Sequence, residues 1–183
     1  MAEAKRIIVC GLNGAGKSTF GRALAAELGC TFFDIEDFYF PERRASEPYA
    51  ASLPREEVAE RLAAALRANS AFVLASVTAD YGGEAEGCLD LAVFLHVPDA
   101  VRARRVRDRS YAKFGARMLP GGDLYAQEER FFTMVEGRTE EKVSAWLARA
   151  GLPVIHLDGT QPVEENIEEI KRLIINEKGA GSS

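Results

Sequence analysis

Nine consecutive residues, Gly11-Leu12-Asn13-Gly14-Ala15-Gly16-Lys17-Ser18-Thr19, unite the side-chain types that phosphate chemistry requires. The three glycines allow a loop to close around an anion with its backbone N–H groups pointing inward. Lys17 carries a charge able to reach the β- and γ-phosphates of a nucleotide, and the Ser18 hydroxyl is a ligand for Mg²⁺. This G-x-x-x-x-G-K-[ST] spacing has that meaning only between a strand and a helix. Both flank it: Arg6-Ile7-Ile8-Val9-Cys10 is a short β-branched run, and Phe20 to Leu28 has helical character. The helix adds the positive end of its dipole. ATP or GTP is therefore the expected ligand of Gly11, Asn13, Gly14, Ala15, Gly16, Lys17, Ser18 and Thr19.

A second strand ends in Phe32-Phe33-Asp34-Ile35-Glu36-Asp37-Phe38, which puts three carboxylates beside the phosphate loop. Phosphoryl transfer uses carboxylates there in two ways, to hold Mg²⁺ through its waters and to accept the proton of an attacking hydroxyl. Asp34 and Asp37 are the first candidates and Glu36 the third; an acidic residue at a strand end is also a common helix cap. The run Ala71 to Ser76 lacks a terminal Asp, and only Ser76, Thr78 and Asp80 follow it. Asp80 can complete a metal shell only if the chain turns back, so the metal is expected on Ser18 and Asp34.

Positive charge concentrates elsewhere. From Asp99 to Arg117 there are seven basic residues against two acidic ones, although the whole chain has a net charge of −5. Ala103, Val106 and Ser110 form a small or apolar helical stripe, and Arg102, Arg105 and Arg109 repeat at the same spacing beside it. Guanidinium groups next to a γ-phosphoryl group spread and stabilise its charge. Arg105 and Arg109, nearest a flexible-looking segment, are the candidates, with Arg117, Arg130 and Arg138 available to complete the clamp. Phe131, Phe132 and Met134 read as core. The turn His156-Leu157-Asp158-Gly159-Thr160-Gln161-Pro162 is placed to contact a base through Gly159 and Thr160.

Positioning these residues takes alternating elements. Buried strands are expected at Arg6 to Cys10, Thr31 to Asp34, Ala71 to Ser76, Leu91 to Val97 and Pro153 to Leu157. Helices are expected at Lys17 to Leu28, Arg55 to Ala68, Asp99 to Ser110, one long helix within Asp123 to Ala150, and Val163 to Ile175. Strict alternation predicts an α/β fold, a parallel sheet with helices on both faces and its ligand at the carboxyl ends of the strands. Residues 1–178 form a single domain in this reading. Two Pro- or Gly-rich excursions over the site, 38–54 on the acceptor side and 111–124 as a lid, interrupt it, and 179–183 form a disordered tail.

The remaining composition narrows the classes. A chain of 183 residues, 47% hydrophobic and 28% charged, is an ordinary globular domain, and the acidic balance disfavours a general nucleic-acid surface. The first strand begins so early that no room is left for a signal peptide, which predicts a cytoplasmic protein. Three cysteines without C-x-x-C spacing and two well-separated histidines predict neither disulfides nor zinc, with His96 and His156 read as strand-end residues. A monomer is expected.

These features resemble the P-loop small-molecule kinases, the group that includes gluconate, shikimate and nucleoside monophosphate kinases. GLNGAGKST followed by GRALAAELG matches the group's phosphate loop and first helix. DIED is similar to the acidic motif of the shikimate and gluconate branches, and ASVTADYGGE, with Ser76 and Tyr81, to a gluconate-kinase segment. KFGARMLPGGDLYAQEERFF is similar in layout to the lid and following helix, and DGTQPVEEN to the adenine-side turn. The resemblance implies a three-layer P-loop fold with a five-stranded parallel sheet, Mg-ATP, and a closing lid that supplies arginine. It also implies γ-phosphoryl transfer to a hydroxyl or phosphate on a small acceptor, for which a hydroxy acid or sugar acid is the expectation. Lys17 and Ser18 would bind phosphate and Mg²⁺, Asp34 metal or acceptor, and Arg105 or Arg109 the transferring group. Asp37, Ser76, Tyr81 and Arg117 would meet the acceptor. The chain departs from the group in lacking a glycine triplet after the third strand and a D-G-[FY]-P-R run, so no acceptor is assigned. A nucleoside or nucleotide kinase remains the alternative. So does a nucleotide-dependent ATPase or switch acting on a protein partner, or a non-catalytic ATP-binding module; no N-K-x-D run supports a GTPase.

Overall fold

The computed structural model of the protein describes residues 6–41 and 52–179. Five strands, β1 (Arg6–Cys10), β2 (Thr31–Asp34), β3 (Phe72–Ala75), β4 (Leu91–His96) and β5 (Val154–Asp158), form one parallel sheet in the order β2-β3-β1-β4-β5. The helices are α1 (Lys17–Leu28), α2 (Ile35–Tyr39), α3 (Arg55–Arg67), α4 (Gly83–Glu86), α5 (Asp99–Phe114), α6 (Tyr125–Glu136), α7 (Glu141–Ala150) and α8 (Val163–Gly179).

The strands are apolar throughout because both faces of the sheet are covered. In β1, Ile7 and Val9 point to one face, where they pack with Phe20, Leu24 and Ile170 of α1 and α8. Ile8 and Cys10 point to the other, against Leu62 and Leu66 of α3 and Trp146 of α7. A third, smaller cluster of Val106, Met118, Phe132 and Val135 joins α5 to α6.

Three departures from the sequence expectation have local causes. The acidic stretch after β2 folds into the short α2, because the Asp34 carboxylate accepts the Glu36 backbone N–H at 3.1 Å and caps it. Helix α5 runs one turn past Ser110, to Phe114, which packs on the third cluster. The single long helix expected before β5 is two helices, broken between Gly137 and Glu140 where glycine and threonine give little helical support. Of the residues read as core there, Phe132 is buried, but Met134 is 43% exposed because it lies on the outer face of α6.

The 111–124 segment is the last turn of α5, a 3-10 turn at Gly115–Met118 and a tight connection into α6. Leu124 N–H donates to the Arg117 carbonyl at 3.0 Å, and Met118 is buried. Of the 38–54 excursion, residues 42–51 lie outside the described residues, as do residues 180–183 of the expected tail. Among the described residues no helix is long and apolar enough to cross a membrane.

Candidate active site

The phosphate loop leaves the carboxyl end of β1, the central strand, where a parallel sheet opens a crevice. Asn13, Gly14, Gly16, Lys17, Ser18 and Thr19 line a pocket of ≈ 240 Å³ with Asp34, Ile35 and Glu36 from across the crevice. Ala75 and Val77 close its floor, and Arg105 and Arg109 come in from α5. An adjoining pocket of ≈ 220 Å³ shares Gly16, Thr19 and Arg105 and continues to Gly159, Gln161, Val163 and Asn166. The two pockets adjoin at these shared residues, the first lined by more charged side chains than the second.

Lys17 lines the more charged pocket. Its Nζ donates to the Leu12 carbonyl at 3.0 Å. Burial pushes its ammonium down to about 8; Glu36 and Asp34 pull it up in part, and Arg109 pushes it down. An ammonium destabilised by desolvation is complementary to an incoming anion. Ser18 and Asp34 line the same pocket and offer the hard oxygen donors that Mg²⁺ prefers. Among the described residues no group of three or more His, Cys, Asp or Glu could hold a metal by itself. That donor set suits an ion that arrives on phosphate oxygens and takes few protein ligands.

The arginines of α5 divide by position. Arg105 is half-buried, and its Nη1 donates to the Gly159 carbonyl at 3.0 Å and towards the Gly14 carbonyl at 3.4 Å, joining the phosphate loop to the β5–α8 turn. Arg109, one turn on, is exposed at the pocket. Arg102 does not share their outward row. It is 2% exposed because α5 lies directly on the phosphate loop.

Gly159 is needed at its turn: a Cβ there would lie 2.6 Å from Val97 Cγ2 and 3.1 Å from the Ala15 carbonyl oxygen. Thr160 beside it does not line either pocket. Its N–H and hydroxyl both donate to Asp158 Oδ1, at 2.8 and 2.6 Å, and these bonds hold the Asp158 carboxyl below the usual range. Asn166, buried and donating to the Asp158 carbonyl at 2.9 Å, lines the less charged pocket. Sequence reasoning passed over it because only the fold turns that helix position towards the site.

Of the residues expected to meet an acceptor, Asp37 is exposed on α2 and does not line the pocket. Ser76 is buried and donates to the Thr78 carbonyl at 2.6 Å. Tyr81 is bonded to Tyr39 and Ser76, its hydroxyl pushed well above its usual range by burial and by Tyr39, and Arg55 lies over its ring at 5.2 Å. Asp80 does not turn back to the loop; Arg149 holds it at 3.2 Å. Arg117 pairs with Asp123 at 2.6 Å, away from the pocket. Arg138 reaches the loop from the break between α6 and α7, its Nη1 2.6 Å from Asn13 Oδ1, whereas Arg130 is exposed on α6.

The two histidines, far apart in sequence, meet. The β4–β5 register places them on one face, with His96 Nε2 2.8 Å from His156 Nδ1 and His96 Nδ1 2.9 Å from Glu140 Oε2. They border a separate cleft of ≈ 760 Å³.

A five-stranded parallel sheet with this loop at its central strand defines the class: the fold is that of the P-loop small-molecule kinases. The chain belongs to the AAA domain family, whose model matches residues 7–129. It is similar to the uncharacterized protein YqaC of Bacillus subtilis, with 27% identity over 177 residues covering 91% of this chain and 95% of that one. Among solved structures it is similar to a gluconokinase from Sinorhizobium meliloti, with a TM-score of 0.57 and 22% identity, over 99% of both chains. A shikimate kinase from Bacteroides thetaiotaomicron matches with a TM-score of 0.59 and 22% identity, over 93% of this chain and 98% of that one. At this identity the two structures speak for the fold.

Proposed function

We propose that the protein is an ATP-dependent kinase that transfers the γ-phosphoryl group of Mg-ATP to a hydroxyl of a small acceptor, of the hydroxy-acid or sugar-acid class, as a cytoplasmic monomer. The observation that carries this reading is the convergence of Lys17, Ser18, Asp34 and Arg109 on one pocket that adjoins a second, less charged one.

In this reading the triphosphate lies along the loop from Gly11 to Thr19, with the base towards Gly159 and Asn166. Ser18 and Asp34 would hold Mg²⁺, which supplies charge neutralisation at the phosphates when bound. Asp34 takes the proton of the acceptor hydroxyl as the new O–P bond forms and the β–γ bridge breaks. Lys17 and Arg109 balance the negative charge of the transferring group. Asp37, Tyr81 and, after movement of its segment, Arg117 meet the acceptor; Ser76 fixes Tyr81.

The test is ADP release from Mg-ATP against a panel of sugar acids, polyols, hydroxy acids, nucleosides and nucleoside monophosphates, with Lys17→Ala as the blank. Turnover that depends on an acceptor and is lost in the variant supports the kinase. ATP binding without stimulation by any acceptor overturns it in favour of a nucleotide-dependent switch.

A further inference from the structure

Arg102 is a charged side chain buried to 2% exposure within α5, and the proposed chemistry gives it nothing to do. Its Nη1 donates to the backbone carbonyl of Asn13 at 3.2 Å, and its Nη2 to Asp99 Oδ1 at 2.5 Å. Its Nε is buried without a hydrogen-bond partner. A guanidinium is retained in such a place at a desolvation cost, so its contacts have to offset that cost. The helix backbone touches the loop at the same point. A Cβ on Gly14 would lie 2.6 Å from the Arg102 carbonyl oxygen, and Gly14 has φ +83°.

We infer that Arg102 is a positioning residue, one that sets the direction of the Gly14 N–H and so orients the loop for phosphate. Asn13 C=O and Gly14 N–H belong to one planar trans unit and point in opposite directions. A carbonyl drawn back onto α5 by Arg102 therefore turns the Gly14 N–H away from α5, towards the pocket that Gly14 lines. Without the guanidinium, that carbonyl can rotate into the pocket and oppose an anion there. Asp99 holds Arg102 in register from the surface, since its own side chain is 85% exposed. Arg138 on the Asn13 side chain restrains the same residue but leaves the peptide free to turn.

This inference rests on reading the pocket as a triphosphate site, and equilibrium binding separates the two. Mg-ATP and adenosine are titrated by calorimetry into the wild type, Arg102→Lys, Arg102→Met and Asp99→Ala, with thermal unfolding of each. The expected result is a loss of Mg-ATP affinity of about tenfold or more in Arg102→Met, the scale of one charge-assisted hydrogen bond. A smaller loss is expected in Asp99→Ala, with partial recovery in Arg102→Lys, and adenosine affinity holds in all three. If Arg102→Met does not fold, the exposed Asp99→Ala and the conservative Arg102→Lys decide alone. Unchanged Mg-ATP affinity in folded variants overturns the inference, as does equal loss of ATP and adenosine, which marks a merely structural arginine. A wild type that binds no Mg-ATP overturns the underlying reading instead.

Discussion

Lys17 Nζ lies 3.0 Å from the carbonyl of Leu12, so the one ammonium of the phosphate loop is bonded to the loop itself. That bond does not fully compensate its burial, and the ammonium is pushed down to about 8. An unfolded lysine titrates near ~10.4. The nucleotide-free folded state therefore holds this proton less tightly than the unfolded chain. The stability deficit is fully present below pH 8 and is relieved as pH rises towards about 10. Phosphate oxygens restore the charged form, so binding Mg-ATP near pH 8 takes up a proton. Calorimetry in buffers of different ionisation enthalpy should show that uptake, and affinity should weaken from pH 8 to about 9.5. An affinity that is flat across this range would remove Lys17 from the phosphate contact.

Asp34 does two jobs that substitution can separate. Its carboxylate caps α2 through Glu36 N–H and also lines the pocket. Asn caps a helix about as well as Asp, so Asp34→Asn should unfold within about 0.5 kcal/mol of the wild type. Its kcat should fall by about 10²–10⁴, the contribution of a general base. Asp34→Ala should lose turnover similarly and about 1 kcal/mol of stability in addition. Denaturant unfolding and steady-state kinetics on the three proteins check both halves.

The neighbouring arginines should split kinetically. Arg109 is exposed at the pocket, so Arg109→Ala should lower kcat by about 10³ and leave stability within about 0.5 kcal/mol. Arg105 joins Gly14 to Gly159. Arg105→Ala should mainly raise the KM for ATP and cost about 1 kcal/mol of stability for the lost bonds. Interchanged phenotypes would reverse the assignment of the two roles.

How far the sequence could be read follows from how far apart the interacting residues lie. The phosphate loop and its flanking strand and helix were legible because glycines, lysine and serine act within one contiguous segment. Asp34 was legible from its place at a strand end, both as a helix cap and as a carboxylate facing the phosphate loop. Arg102 was not, because its burial depends on how α5 lies against a loop 89 residues earlier. The meeting of His96 with His156 needed the β4–β5 register, across 60 residues. The break at Gly137 was masked because helical patterns lie on both sides of it, and Ser76 gave no sign that its hydroxyl turns back to Thr78.

Gly159 offers the sharpest test of how the turn proposed to meet the base is built. Its N–H donates to the His96 carbonyl at 2.8 Å, which holds the turn so close to β4 that a Cβ would meet Val97 Cγ2 at 2.6 Å and the Ala15 carbonyl oxygen at 3.1 Å. Val97 is buried and branched at Cβ, so its methyl group has little freedom to move aside. Gly159→Ala should therefore cost about 1–3 kcal/mol by overpacking and weaken Mg-ATP binding as Ala15 and the turn part. Val97→Ala removes the obstructing methyl and by itself costs stability through the cavity it leaves. In the double variant the new methyl occupies that space, so its stability should exceed that of Gly159→Ala alone, a coupling readable from a double-mutant cycle. Strictly additive losses would mean that the turn shifts as a unit and that Val97 is not what confines residue 159 to glycine.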